Sequence, residues 1–318
     1  MAYSKHKYDP DAAKAKVQDA LQRLDAGISA LTTSKRWAEF LKFQSRFHKY
    51  SFGNAMLIEV QRPDATRVAG FRTWLGMGHT VKKGEKGIMI LAPRYFYKSK
   101  ETREILRNAA EVSPNDKVKV TYFVASHVFD ISQTEGPPLP EIASRLEGDA
   151  PQEKLERLQA LARSLGYTVI EAEHGAAHGY MDPHAKVVAT APGLSPLHRL
   201  KTTIHEIAHI PELLGKDMKF DDRQLEEVAV ESVAFIVSDY LGLDTSSYSF
   251  DYVANWGSRS GNQGEIIKTL QNAGRRIQKA AEKIIEAMEG REIESPELAA
   301  TPPEDQVEAP EAALPLAV

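Results

Sequence analysis

The sequence contains no cysteine. That absence removes disulfides, thiolate metal sites and cysteine nucleophiles, so any metal must be held by histidine, aspartate or glutamate. It fits a reducing compartment. Long apolar runs are missing as well. None approaches the roughly 18 residues that a membrane span needs, which predicts no membrane partner. Met1 to Pro10 mixes Lys, His, Tyr and Asp without an apolar stretch and does not read as a secretory signal. The expected location is cytoplasmic. No internal repeat is present.

What is there is an ordinary globular composition, 42% hydrophobic over 318 residues, enough for one large or two smaller cores. Net charge is −4, but it is unevenly spread. Residues 1–130 hold 23 Lys+Arg against 13 Asp+Glu, or +10; the rest hold 17 against 31, or −14. Such asymmetry points the first half toward a polyanion, although two domains with different solvated surfaces would look the same.

Residues 11–31 read as an amphipathic helix on Val17, Leu21, Leu24 and Ile28. A second helical stretch carries Trp37, Phe40, Leu41, Phe43 and Phe47. From Arg67 to Pro93 glycines punctuate short apolar segments, with a buried strand at Ile88–Leu91, and Lys117–Asp130 shows a second strand pattern. Thr134–Pro151 holds six Gly and Pro residues and reads as a linker. Beyond it the pattern predicts a helix over Lys154–Leu165, a short strand over Tyr167–Ile170, and a strand over Tyr180–Ala189 with a turn at Asp182-Pro183. Helices follow at 195–213, at about 223–241 and at 263–288. After Arg291, five Pro and seven acidic residues predict a disordered tail.

The helix at 195–213 contains His205-Glu206-Ile207-Ala208-His209. Residues four apart lie one above the other, so both imidazoles can face a common ion, with Glu206 placed to accept a proton from its water. Chance alone puts this pattern in roughly one or two chains per hundred, so context decides. The flanks Leu200, Ile204, Ile207 and Ile210 are apolar, and a buried His-Glu-His face needs polar partners or an ion. A catalytic site of this kind needs a third protein ligand. Glu227 and Glu231 share a face of the next helix, amid Val228, Val230, Val233 and Ile236. Glu227 is assigned to the metal and Glu231 to holding a histidine through its free N–H; the exchanged assignment stays open. Their spacing resembles the Glu-x-x-x-Asp helix of gluzincin peptidases. Tyr252 is a candidate oxyanion donor or an aromatic corner of the core. Among other histidines, His178 could border a substrate groove, and His198, seven residues before His205, could face the same way. Zinc is the expected ion, and a His/His/carboxylate set also accepts manganese or cobalt.

In the basic half, Arg46, Lys49, Arg72, Lys82, Lys83 and Lys86 are interleaved with Phe47, Tyr50, Phe52, Phe71 and Trp74. Cations that follow phosphates and rings that stack on bases hold single-stranded nucleic acid. Arg46, Lys49, Arg72, Trp74, Lys82, Lys83 and Lys86 are the candidate contacts, although each aromatic could equally belong to the core. The elements predict an α+β fold of two domains. An N-terminal α+β nucleic-acid-binding domain covers 1–135, a linker 136–152, a mainly helical domain with a small sheet 153–290, and the tail 291–318.

Several separate segments together resemble the ArdC-type antirestriction family. They are Ser51-Phe52-Gly53-Asn54, Gly70-Phe71-Arg72-Thr73-Trp74, Val81-Lys82-Lys83-Gly84-Glu85-Lys86-Gly87, Val128-Phe129-Asp130-Ile131-Ser132-Gln133-Thr134, Gly179-Tyr180-Met181-Asp182-Pro183, His205-Glu206-Ile207-Ala208-His209, Glu231-Ser232-Val233-Ala234-Phe235 and Tyr252-Val253-Ala254-Asn255-Trp256. They keep family order from about residue 45 to 257. The resemblance implies an N-terminal single-stranded-DNA-binding domain, a C-terminal zincin-like zinc metallopeptidase domain, and a role in protecting incoming DNA of mobile elements from restriction. Many members carry Glu-Ala-Glu-Ser where this chain has Ala229-Val230-Glu231-Ser232, which strengthens Glu227 and Glu231 as the available carboxylates. Two other functions remain open at this point: a non-catalytic protein that shields single strands and keeps a structural metal, and a regulatory peptidase that cleaves a protein partner.

Overall fold

Apolar residues at steps of three and four set the first helices of the computed structural model, which describes residues 10–97, 119–139, 150–173, 175, 177–215, 223–248, 250 and 262–290. Helix α1 spans Pro10–Ser29 and buries Ala20, Leu24 and Ile28 on one side. After a short 3-10 turn, Thr33 caps α2 (Ser34–Arg46) by accepting from the Arg36 N–H at 3.2 Å. The inward side of α2 carries Trp37, Phe40, Leu41 and Phe43. Helix α3 (Phe52–Gln61) buries Ala55 through Glu59 in succession. A helix covered all round lacks the one-sided stripe that periodicity detects. Its buried Glu59 is held bidentately by Arg36 at 2.8 and 2.5 Å.

The chain then passes through β1 (Val68–Gly70), α4 (Phe71–Gly76), β2 (Thr80–Val81), β3 (Ile88–Tyr97), β4 (Lys119–Asp130) and β5 (Thr134–Glu135). Strand β4 lies between β1 and β3, antiparallel to both, and β2 pairs with β5. The start of the expected linker is therefore built into a sheet. His79 fixes it further, its ring bonded to Thr134 Oγ1 at 2.9 Å and the Pro137 carbonyl at 2.8 Å. A Cβ on Gly136 would strike that ring. Residues 140–149 lie outside the described residues, and 150–152 are already helical.

Helix α5 (Ala150–Ser164) ends ahead of Gly166, whose φ of +86° suits glycine. Strands β6 (Thr168–Glu171), β7 (Gly179–Asp182) and β8 (Val187–Thr190) form a sheet in the order β6-β8-β7, with β6 parallel and β7 antiparallel to β8. The predicted strand Tyr180–Ala189 is thus a hairpin, because the Asp182 carboxylate accepts the His184 and Ala185 N–H groups at 2.8 and 2.9 Å and folds the chain back.

Helix α6 (Pro196–Ala208) starts on Ser195 and stops sooner than periodicity indicates. Pro211 has no N–H, and its ring excludes the Ile207 carbonyl four residues back. The helix therefore breaks at His209-Ile210 and resumes as the single turn α7 (Pro211–Leu214). Helices α8 (Arg223–Tyr240) and α9 (Gln263–Glu289) complete the described fold, a mixture of helices and small sheets. Tyr252, Trp256 and the tail 291–318 lie outside the described residues. Among the described residues no helix is long and apolar enough to cross a membrane.

One apolar cluster draws on residues from before and after the central proline-rich stretch. Helix α2 packs on α8, and α9 packs on α8, α5 and α3. The buried Trp37 indole donates to Ser232 Oγ at 2.9 Å, and Gln278 of α9 donates to the His48 carbonyl at 2.7 Å. At the α9–α3 crossing a Cβ on Gly274 would overlap the Phe52 ring. Gly274→Ala should therefore destabilise the protein by about 1–3 kcal/mol despite alanine's better helix propensity, read by denaturant unfolding. Unchanged or increased stability would show that the ring can move aside.

Candidate metal centre and basic surface

Each member of the His205-Glu206-His209 group is placed by a different local cause. His205 and Glu206 lie in the last turn of α6; His209 forms its C-cap, with φ −69° and ψ −14° still helical. The two imidazole rings are 5.1 Å apart, one above the other. Helix α8 packs against α6 and brings in Glu227, whose Oε2 lies 3.7 Å from His205 Nε2 and 3.7 Å from His209 Nε2. These separations are too long for hydrogen bonds. Two ligands on one tetrahedral ion, at bond lengths near 2.1 Å, stand about 3.4 Å apart, so the spacing suits a shared cation. His205, His209 and Glu227 are the group, among the described residues, whose ligand atoms all fall within 4.8 Å of one another.

The other nitrogen of His209, Nδ1, faces Glu226 Oε1 at 3.6 Å. Sequence spacing assigns the histidine-holding role to Glu231; the carboxylate that faces His209 Nδ1 is Glu226, at ion-pair rather than hydrogen-bond distance. Glu231 is half-buried and lines the cleft. Tyr248 also borders this cleft, its hydroxyl 3.1 Å from Ser238 Oγ.

Glu206 is 8% exposed. Burial, opposed by His209 and reinforced by Glu227, pushes its carboxyl up to about 7. Burial and the charge on His209 push His205 down to about 4. Burial also works against the His209 imidazolium, but Glu226, Glu227 and Glu206 around it prevail and raise it. The two shifts run in opposite directions, which makes His209 the more basic imidazole of the pair.

Gly179 explains how β7 lies so close to this helix. A Cβ there would come within 2.7 Å of the Thr202 methyl and 2.9 Å of Glu206 Cγ and the Ala189 carbonyl. In the described sheet β7 has a neighbour on one side only. Its start and the cleft face of α6 line an open cleft of about 610 Å³ that reaches His205 and Glu206. His178 and His198 meet at its mouth, their rings 4.6 Å apart. His184 sits exposed in the hairpin turn, and His174 lies outside the described residues.

In the basic half Arg46, Lys49, Arg72, Lys82, Lys83 and Lys86 are all exposed. Arg46 and Lys49 lie at the end of α2, where Lys49 feels Glu282 of α9. Arg72 belongs to α4; the three lysines lie on the turn between β2 and β3, where Gly84 has φ +90°. Trp74 corrects the sequence reading. It is 0% exposed and its indole donates to the Phe129 carbonyl at 2.8 Å, so it is a core residue with no face for a base. Phe47 and Phe52 are buried too. The available ring is Phe71, 50% exposed, beside the exposed Leu75 and Met77. The signal was present in the sequence: Phe71 and Leu75 are four apart, on a face of α4 that leaves Trp74 inward.

Residues 11–129 match the sequence model for the N-terminal domain of anti-restriction factor ArdC. A curated protein of Bacillus anthracis, described as uncharacterized, is 27% identical over 92% of this chain. The chain spans 56% of that protein's length. Two crystal structures of antirestriction protein ArdC from the R388 plasmid, metal-free and Mn(II)-bound, are 19% identical with TM-scores of 0.45 and 0.44. They cover 76% and 75% of this chain and 86% and 85% of those chains.

The site makes a titration expectation for metal-free protein. A carboxyl raised from 4.5 to about 7 binds more protons folded than unfolded. Its contribution is therefore neutral to stability below pH 4.5 and becomes a penalty as pH rises toward and beyond 7. Glu206→Gln should raise the stability of chelator-treated protein by about 1–3 kcal/mol at pH 8, and by much less at pH 5. Equal gains at both pH values would contradict the shift.

Proposed function

From the premise that the chain is an ArdC-type protein, we propose that it joins a single-stranded-DNA-binding region to a zincin-like, metal-dependent peptidase centre and acts in antirestriction. The observation that carries the catalytic part is the convergence of His205 Nε2, His209 Nε2 and Glu227 Oε2, with Glu206 beside them in a cleft. Those three residues would hold the ion, with zinc proposed and manganese or cobalt compatible with the same donors. When bound, such an ion supplies Lewis-acid polarisation and a water acidic enough to lose its proton near neutrality.

The remaining work falls to the chain. Glu206 takes a proton on its carboxylate as water attacks a peptide carbonyl and returns it to the leaving amine. Glu226 faces His209 Nδ1 and favours the ring orientation that leaves Nε2 for the ion. A peptide laid along the outer edge of β7 would run past Glu206, because Gly179 brings that edge against α6.

The DNA contacts belong to Arg72, Lys82, Lys83 and Lys86 with Phe71 as the stacking ring; Arg46 and Lys49 form a second basic group. We place the DNA-binding region in 1–135 and the peptidase region in 153–290, sharing one core, in a protein that works in the cytoplasm on single-stranded DNA and a protein substrate.

Elemental analysis of purified protein should find about one divalent ion per chain, lost in His205→Ala/His209→Ala and kept in Glu206→Ala, which should lower peptide cleavage by about 10²–10⁴-fold. Equal metal in wild type and the double variant would end the assignment. If Glu206→Ala leaves restriction protection intact, protection works by binding alone. Binding to labelled single strands should fall with salt and be lost in Lys82/Lys83/Lys86→Glu. Phe71→Ala should weaken it by about 1–3 kcal/mol without unfolding the protein. No effect of Phe71→Ala would place the DNA elsewhere.

A further inference from the structure

We propose that the mouth of the cleft, where His178, His198 and Lys201 meet, is a subsite for an acidic side chain of the peptide substrate. The proposal rests on the peptidase reading and deepens it by naming a substrate class.

The groups converge from two elements. His198 and Lys201 lie three residues apart on α6, and His178 immediately precedes β7. The rings of His178 and His198 are exposed yet only 4.6 Å apart. Both border the cleft with Lys201 and Ser195. This is also the start of a 13-residue helix, the end that favours negative charge. Arg199, by contrast, is taken up by an ion pair with Glu171. Lys201 donates to the Asp244 backbone carbonyl at 2.8 Å and lies over the Tyr248 ring at 5.4 Å. The Asp244 carboxylate accepts from the Ser246 N–H at 3.0 Å and the Ser246 hydroxyl at 2.9 Å, and the charge of Lys201 also acts on it. Two carboxylates also line the cleft, Glu206 next to His205 in sequence on α6 and Glu231 close enough to Tyr248 to act on its hydroxyl. The two histidines are thus the donors set farthest along α6 from Glu206.

Helical rise sets the distance. Lys201 is one turn from His205 and His198 two, so the donors lie about 6–10 Å along α6 from the ion site. An extended peptide advances about 3.3 Å per residue, which places the acid two or three residues from the cleaved bond.

The test captures a randomised hexapeptide library on metal-loaded Glu206→Gln protein and, in parallel, maps cleavage of the same library by wild type with mass spectrometry. Captured peptides should be enriched in Asp and Glu about tenfold, a loss expected when a charged group gives up its donors. His178→Gln/His198→Gln/Lys201→Gln should abolish the enrichment while retaining the full metal content and melting temperature. Lys201→Gln alone should reduce it. Cleaved peptides should carry the acid two or three residues from the cut. Enrichment with no cleavage by wild type would sink the peptidase reading and leave the subsite standing. Absent enrichment, or enrichment that survives the triple variant, overturns the subsite. So does a one-equivalent loss of metal in that variant, which would make the histidine pair a cation site. Displacement of the peptides by a 5′-phosphorylated dinucleotide, but not by its unphosphorylated form, would assign the donors to nucleic acid.

Discussion

Where α6 crosses α8, one carboxylate oxygen of Glu227 stands 3.7 Å from each of two imidazoles, and the rest of the site is arranged around that meeting. The crossing is held by apolar burial away from the site: Ile204 and Ile207 on α6, and Val228, Val230 and Val233 on α8, are all buried. The carboxylate and rings need not stabilise the fold that positions them. They gather acids and imidazoles at a density that a bare protein tolerates poorly, since Glu206, Glu226 and Glu227 surround His209. A cation there would offset the crowded carboxylate charge.

Two residues with no reactive atoms draw the boundaries of this arrangement. Pro211 ends α6 just beyond His209, so the second imidazole caps the helix and has Glu226 beside it. Gly179 removes the side chain that would hold β7 away from Thr202 and Glu206. Together they set a strand edge, the Glu206 carboxyl and the His205 imidazole along one cleft.

Legibility in the sequence followed the locality of the cause. The pairing of His205 with His209 depends only on helical repeat, and Glu227 could be reached by asking which buried helix carries unexplained carboxylates. That Glu226 faces His209 could not be read in advance, because it depends on the angle between two helices, which no single-chain pattern encodes. Periodicity described α1, α2 and α9 well. It carried past the break at Pro211 and fell silent over α3, whose burial on all sides leaves no stripe to detect. Trp74 shows the same limit on the functional side. Its neighbours Arg72 and Phe71 are exposed while its own indole is buried on the Phe129 carbonyl, and the four-residue spacing of Phe71 and Leu75 is the one local hint of which ring faces outward.

The N-terminal helices belong to the metal centre's architecture as well as to the basic surface. Ser232 is fully buried, donates to the Val228 carbonyl at 2.6 Å and accepts the Trp37 indole N–H at 2.9 Å. It follows Glu231 directly and lies just over one turn from Glu227 on α8. A shift of α2 would therefore have to leave the indole N–H unbonded in the core or carry α8 with it, and an unbonded buried donor costs about 1–3 kcal/mol. The same helix ends at the exposed Arg46, with Lys49 just beyond it, so the segment that carries this basic pair also braces the helix that carries Glu227.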